Sequence, residues 1–311
     1  MWLSRGGLSD DTPSQSMQRL VARRQRKEGA VETEEARDVQ GRVITITSGK
    51  GGVGKTTTTA NLGAALAARG RSVVLVDADI GLRNLDIVLG LENRIVYDIV
   101  DIVEGRCRLR QALIRDKRLS NLYLIPAAQT RDKEAVSPQQ MRELCSELRR
   151  QFDFVLIDSP AGIEQGFRNA IAGADEVLIV TNPEVSSVRD ADRIIGLVEA
   201  AELPVPRLIV NRIDPTLVRR GDMLSVDDVT DILSIPLIGL VPDDETIITS
   251  TNRGEPAALD PQSRAGQAFR DIAARLLGEE IPLLPPTEPD GAFRRFLRAL
   301  GLGGRSKQVV H

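Results

Sequence analysis

Residues Gly49-Lys50-Gly51-Gly52-Val53-Gly54-Lys55-Thr56-Thr57 leave the chain few ways to fold. They lie between an apolar β-branched run, Val43-Ile44-Thr45-Ile46-Thr47, and a helix-forming run from Ala60 to Ala68. Strand, glycine-rich turn and helix N-terminus in that order make a phosphate-binding loop. Glycines let backbone N–H groups close around phosphate oxygens where a Cβ would block the approach. The positive end of the helix dipole acts at the same point. In this pattern Lys55 reaches the β- and γ-phosphates, and the Thr56 hydroxyl ligates Mg²⁺. Lys50 is a second lysine, at the start of the loop. One ammonium already serves the phosphates, so this one is solvated, folded back, or aimed elsewhere, for example at the nucleotide of a facing subunit.

The pattern beyond the loop repeats. After Gly70, which can end the first helix, Ser72-Val73-Val74-Leu75-Val76 reads as a buried strand closing on Asp77-Ala78-Asp79. Open α/β sheets place ligands at the carboxyl ends of their strands, which is where Asp77 and Asp79 fall. Ile95 to Val103 has helical apolar spacing, and Leu122 to Ile125 is a short strand stopped by Pro126. Ser137-Pro138 caps and starts a helix reaching about Arg150. Phe154-Val155-Leu156-Ile157 then leads into Asp158, the pattern of a carboxylate that holds Mg²⁺ directly or through water. Strands at 177–180, 207–210 (ending at Asn211) and 237–241 alternate with helices at 186–201, after Ser225, and at 263–277. Continuous apolar strands alternating with helices predict a mostly parallel sheet with helices on both faces, in one domain at 42–278.

Composition closes off several chemistries. The single histidine is His311, so histidine general-base and histidine–zinc mechanisms are absent. Cys107 and Cys145 form no C-x-x-C pair and read as reduced thiols. Aromatic content of 3% and net charge of −3 argue against a nucleic-acid coat, though a local basic patch stays possible. No apolar run is long enough to span a bilayer. Residues 1–41 mix basic residues with many acids and are expected to be a disordered extension rather than a transit peptide.

Residues 279–291 hold Pro282, Pro285, Pro286 and Pro289, which cannot continue a helix and make a semi-extended linker. In 292–303 that follow, Phe293, Phe296, Leu297 and Leu300 share one helical face, with Arg294, Arg295 and Arg298 on the other. A short helix with a basic polar face and a phenylalanine-bearing apolar face suits an anionic membrane surface; docking on a protein groove is the alternative. One such tail binds marginally, because ordering it costs on the order of 1.5 kcal/mol per residue. Two tails on one dimer bind cooperatively. Residues 304–311 are a flexible end.

The box K-G-G-V-G-K-T-T resembles the deviant Walker A box of the MinD/ParA ATPase family. Val76 to Asp86 (V-D-A-D-I-G-L-R-N-L-D), Asp158 to Glu164 (D-S-P-A-G-I-E) and Thr181 to Asp192 (T-N-P-E-V-S-S-V-R-D-A-D) are similar to the branch of that family that selects division sites. The resemblance covers nearly all of 42–303. It implies a P-loop NTPase-type fold and a slow, partner-stimulated, Mg²⁺-dependent ATPase with ATP as ligand. Lys50 would be inserted into a partner subunit's site. Lys55, Thr56 and Thr57 would hold phosphates and metal, Asp77 and Asp158 would support the metal, Asp79 would position the attacking water, and Asn211 would contact adenine. Glu184, Ser186, Asp190 and Asp192 would present the surface that partners read. Also implied are an ATP-dependent homodimer, a MinC-like division inhibitor, a MinE-like or equivalent topological factor, and a place on the inner face of the cell membrane or, alternatively, the plastid inner envelope. A DNA-partitioning relative is the other reading; D-S-P-A-G-I-E and the amphipathic tail argue against it, so no nucleic acid is expected.

Overall fold

The computed structural model describes residues 40–132 and 135–284. Eight strands form one sheet: β1 (Arg42–Thr47), β2 (Val73–Asp77), β3 (Ile114–Arg115), β4 (Leu122–Ile125), β5 (Phe154–Asp158), β6 (Glu176–Thr181), β7 (Arg207–Ile213) and β8 (Leu237–Pro242). Their order across the sheet is β3-β4-β2-β5-β1-β6-β7-β8. Every pairing is parallel except β3 with β4. From β1 the chain builds outward first to one side and later to the other, so the order reverses beside β1. The crevice at such a reversal is where open α/β sheets bind ligands.

The helices are α1 (Lys55–Ala68), α2 (Leu85–Leu89), α3 (Ile99–Val103), α4 (Leu109–Ala112), α5 (Pro138–Leu148), α6 (Gln165–Ile171), α7 (Val185–Ala200), α8 (Pro215–Arg220), α9 (Val226–Leu233), α10 (Thr246–Asn252) and α11 (Arg264–Leu276). Side chains of a strand alternate between its two faces, and here both faces are apolar. Ile44, Ile46, Val73, Leu75, Leu156, Leu178 and Ile209 pack under α1 and α11. On the opposite face Val43, Val74, Val76, Val155 and Ile157 meet α3 and α5, while Val177, Ile179, Leu208 and Val210 meet α6, α7 and α9. This is why the strands read as unbroken apolar runs.

Two close approaches depend on glycine. Gly63 of α1 lies against Leu75, and Gly239 of β8 lies against Ile272 of α11, where a Cβ would collide with the isoleucine side chain. Gly239→Val should cost about 1–3 kcal/mol by overpacking. That corresponds to a melting midpoint roughly 3–10 °C lower, checked by thermal unfolding followed by circular dichroism.

Two expectations change in detail and one strand is additional. The helix expected from Ile95 starts only at Ile99, because Asp98 takes an extended backbone and accepts from the N–H groups of Val100 and Asp101. A capping box outweighs apolar spacing that runs on past it. The helix from Pro138 stops at Leu148 rather than Arg150. The antiparallel strand β3, two residues long, carries no periodic signal at all. Gly70 does lie just beyond α1 with φ of 83°, as a helix-ending glycine should.

Candidate functional site

The N-terminus of α1 is open. Its cap residue, Gly54, has φ of 102° and supplies no side-chain hydrogen bond to the first turn, so those N–H groups face outward. A helix end left uncapped by its own sequence is a ready site for an anion. Gly52 also has positive φ, and a Cβ there would meet nothing, so the crown of the loop borders open space. From below, the Ser48 hydroxyl donates to the Lys50 carbonyl at 2.7 Å, and the Gly162 N–H donates to the Ser48 carbonyl at 3.1 Å.

Lys55 is buried, and burial pulls its pKa down while Asp158 and Asp79 pull it up. Asp77 and Asp158 end adjacent strands in register with each other. Burial raises the Asp158 carboxyl to about 6, against hydrogen bonds from Thr56 and Thr59 and the charge of Lys55. Burial and the neighbouring Asp158 raise Asp77 as well, although its carboxylate accepts from the N–H groups of Asp79 and Leu85. Two buried carboxylates that repel one another, beside a threonine hydroxyl and a phosphate cradle, suit Mg²⁺. That ion commonly takes one or two carboxylates plus phosphate and keeps several waters. The residues therefore fit a magnesium nucleotide.

Asp79 is half-buried and its charge is felt by both Lys55 and Asp158, which places it at the site. It caps no helix; the cap of α2 is Asn84. Asp77 organises the loop between them, since it accepts from residues at both ends. Cys145 lies elsewhere, buried against Gly173 with its thiol pushed up to about 12 by burial.

Lys50 is folded back. Its Nζ lies 3.2 Å from Glu184 Oε2 and 3.2 Å from Ser186 Oγ. Lys50 is the first cause that holds the Glu184 carboxyl below its ordinary value. Two residues assigned to the partner surface thus hold the odd lysine. The same helix touches the loop backbone, because a Cβ at Gly49 would run into the carbonyl of Asp190. Asp190 itself forms a pair with Arg193 at 3.5 Å, and Asp192 is exposed.

Asn211 is 6% exposed and donates from Nδ2 to the Val53 carbonyl at 2.7 Å, joining the end of β7 to the loop. It also lines a cavity of ≈ 340 Å³ with Gly54, Thr57, Arg212, Pro242, Asp244 and Ile248 among its walls. That size falls within the range of small-molecule sites, and the cavity opens beside the phosphate cradle. Residues Pro242 to Ile248 were not expected at the site. Their signal was available: Val241-Pro242-Asp243-Asp244 ends a strand on the same edge as Asp77 and Asp158. Residues Phe293 to Leu300, and the extension before Gln40, lie outside the described residues. Among those described, no helix is long and apolar enough to cross a membrane.

Residues 44–257 match the family model of the CobQ/CobB/MinD/ParA nucleotide binding domain. The chain is 60% identical over 245 residues to the septum site-determining protein MinD of Bacillus subtilis, an alignment spanning 78% of this chain and 91% of that protein. It is also similar to the solved MinC:MinD cell division complex of Aquifex aeolicus, with 53% identity, a TM-score of 0.73, and coverage of 79% of this chain and 100% of that one. A MinD from Pyrococcus horikoshii complexed with Mg-ADP is 32% identical, with a TM-score of 0.70 and coverage of 78% and 100%.

Proposed function

This chain belongs to the MinD/ParA family of nucleotide-binding ATPases, in its septum site-determining branch, and from that premise we propose that it is an ATP-driven switch that governs where division occurs. The observation that carries the proposal is the position of Lys50, which is tied to Glu184 and Ser186 on the rim of an uncapped phosphate cradle. Division-site regulation acts through a MinC-type inhibitor; a MinC:MinD complex is among the similar structures.

The proposed mechanism assigns each group one task. Backbone N–H groups of Gly51 to Thr57 and the Lys55 ammonium bind and orient the phosphates. Thr56, Asp77 and Asp158 hold Mg²⁺, which when bound neutralises charge on the phosphates. Asp79 positions the water in line, and Asn211 with the cavity beside it receives the base. Phosphoryl transfer needs positioning and charge neutralisation more than a strong base, which suits a site without histidine. Lys50 leaves Glu184 and Ser186 when a second copy docks, and delivers its charge in trans. Because that lysine is in contact with the helix that follows Glu184 and bears Ser186, Asp190 and Asp192, a partner seated on the helix can favour hydrolysis.

The tail at 292–303 binds anionic lipid, and only the paired tails of a dimer hold it well. A MinE-like or equivalent factor releases the dimer by promoting hydrolysis. Vesicles that contain phosphatidylglycerol should pellet the chain with ATP and not with ADP. Phe296→Glu should reduce pelleting with ATP to the ADP level. Equal binding in both nucleotides would break the link between triphosphate and membrane, and retention on DNA in place of vesicles would favour the partitioning relatives.

A further inference from the structure

We propose that the folded domain carries a second lipid contact of its own: a basic corner made by Arg71, Arg94, Arg115 and Lys117, beside the root of the tail linker. The inference rests on the tail reading above and adds a surface to it. Helix α1 runs from the phosphate cradle to this corner, about 21 Å away at 1.5 Å per residue. Two groups meet the last turn of that helix. Asn121, in the turn between β3 and β4, donates from Nδ2 to the carbonyls of Ala67 (2.8 Å) and Arg71 (2.7 Å). Arg69 pairs with Glu279, the first residue of the linker. The β3–β4 turn and the linker root are therefore held against the same few residues of backbone.

The cations at this corner keep their charge. Arg94 Nη1 donates to the Arg115 carbonyl at 2.9 Å, and Lys117 Nζ to the Gly90 carbonyl at 3.0 Å. Carbonyl partners fix a side chain in place without cancelling its charge. Arg71, Arg94, Arg115 and Lys117 are all exposed. None of the four forms an ion pair with a carboxylate among the described residues, whereas neighbouring Arg118 is paired with Asp116 at 3.2 Å. The acids at the margin are Glu92, Glu255 beside Arg118, Asp153, which accepts from Ser72, and Glu279, which is paired with Arg69. Arg106 is paired with Asp101 and Glu104, but from Arg108 to Arg118 the chain places Arg108, Arg110, Arg115, Lys117 and Arg118 against Asp116 alone, within a chain of net charge −3. Val96, two residues after Arg94, is 76% exposed.

Lipid fits this corner better than nucleic acid. Among the described residues no exposed aromatic ring stands with these cations to stack a base, and the adjoining linker leads to an amphipathic basic segment. A cation near an anionic leaflet contributes roughly a fivefold gain in affinity, provided it lies within about a Debye length of the surface. The corner would thus hold the domain down once the tails have engaged.

The test uses the full chain with ATP and Mg²⁺ on vesicles of phosphatidylcholine with rising phosphatidylglycerol. The triple variant Arg71→Gln, Arg115→Gln, Lys117→Gln should bind on the order of a hundredfold more weakly than the unchanged chain, about fivefold for each cation removed, with the gap widening as phosphatidylglycerol rises. The variant Arg142→Gln, Arg168→Gln, Arg220→Gln, with the same change in charge on other faces, should bind like the unchanged chain. ATPase activity without vesicles should be the same in all three, and matching melting curves would show that each is folded. If the unchanged chain binds and the first variant binds equally at every lipid composition, the corner is not a lipid contact. If both variants weaken alike, the effect is net charge and the inference falls. If the first variant instead loses retention on DNA and keeps its vesicle affinity, the corner serves nucleic acid. Should the unchanged chain ignore vesicles altogether, the tail reading fails first and takes the corner with it.

Discussion

Gly54→Val should lower affinity for magnesium ATP on the order of 100-fold or more. Three effects act together at this position. Its φ of 102° is one that a β-branched residue reaches only under strain. A Cβ would run into the Asn211 amide. The added side chain would also stand in front of the uncapped first turn of α1, where backbone N–H groups must meet phosphate. Titration calorimetry with ATP and Mg²⁺ measures the loss, and circular dichroism should show a fold close to that of the unchanged chain. Gly54→Ala placed in an Asn211→Gly background, and compared with Asn211→Gly alone, separates the causes, since the pair differs only by the strained backbone and its Cβ with the collision removed. If Gly54→Val binds ATP within about threefold of the unchanged chain, the loop at 49–57 is not the phosphate site.

Lys50→Ala should behave in the opposite way, binding nucleotide but failing to use it. The ammonium is half-exposed and pairs with a carboxylate that is also exposed. Such a pair contributes about 0–1 kcal/mol, so leaving it is easy when a triphosphate offers a stronger charge-assisted partner. Without the lysine, ATP should still occupy the site, because Lys55 and the loop N–H groups are untouched. The chain should then stay monomeric by light scattering at ATP saturation. Partner-stimulated hydrolysis should fall by about 10³-fold, the lower end of the range for a charge delivered in trans. Glu184→Ala, which frees the lysine, should leave dimerisation intact or favour it slightly. A Lys50→Ala protein that dimerised and hydrolysed normally would return Lys50 to the role of a solvated surface charge.

Much of the site is legible along the chain because it is built from local patterns. The phosphate loop lies within nine consecutive residues, and its function depends on glycines and a helix start that are adjacent in sequence. Asp77 and Asp158 could be found because each terminates an apolar run, and strands of a parallel sheet end on one edge. Asp79, two residues on, falls at the same strand end, and its role there is what the family resemblance implies. The start of the helix at Ile99 is also encoded locally, because the capping box of Asp98 and Asp101 lies within four residues and outweighs the apolar spacing before it. Strand β3 is not, since two residues paired antiparallel to β4 owe their conformation to the neighbour.

Composition, motif and alternation by themselves determined the sheet, the cradle, the acids at its edge and the absence of histidine chemistry. Tertiary structure alone decided three things. Lys50 is held by Glu184 and Ser186, 134 and 136 residues away. Asn211 braces the loop at Val53 across 158 residues while facing a cavity. The basic β3–β4 turn lies at the linker root. Each joins groups whose separation along the chain carries no periodicity, so nothing local encodes it. It arises when parallel strands place distant loops on a common edge, and the residues there meet because the sheet order puts their strands side by side.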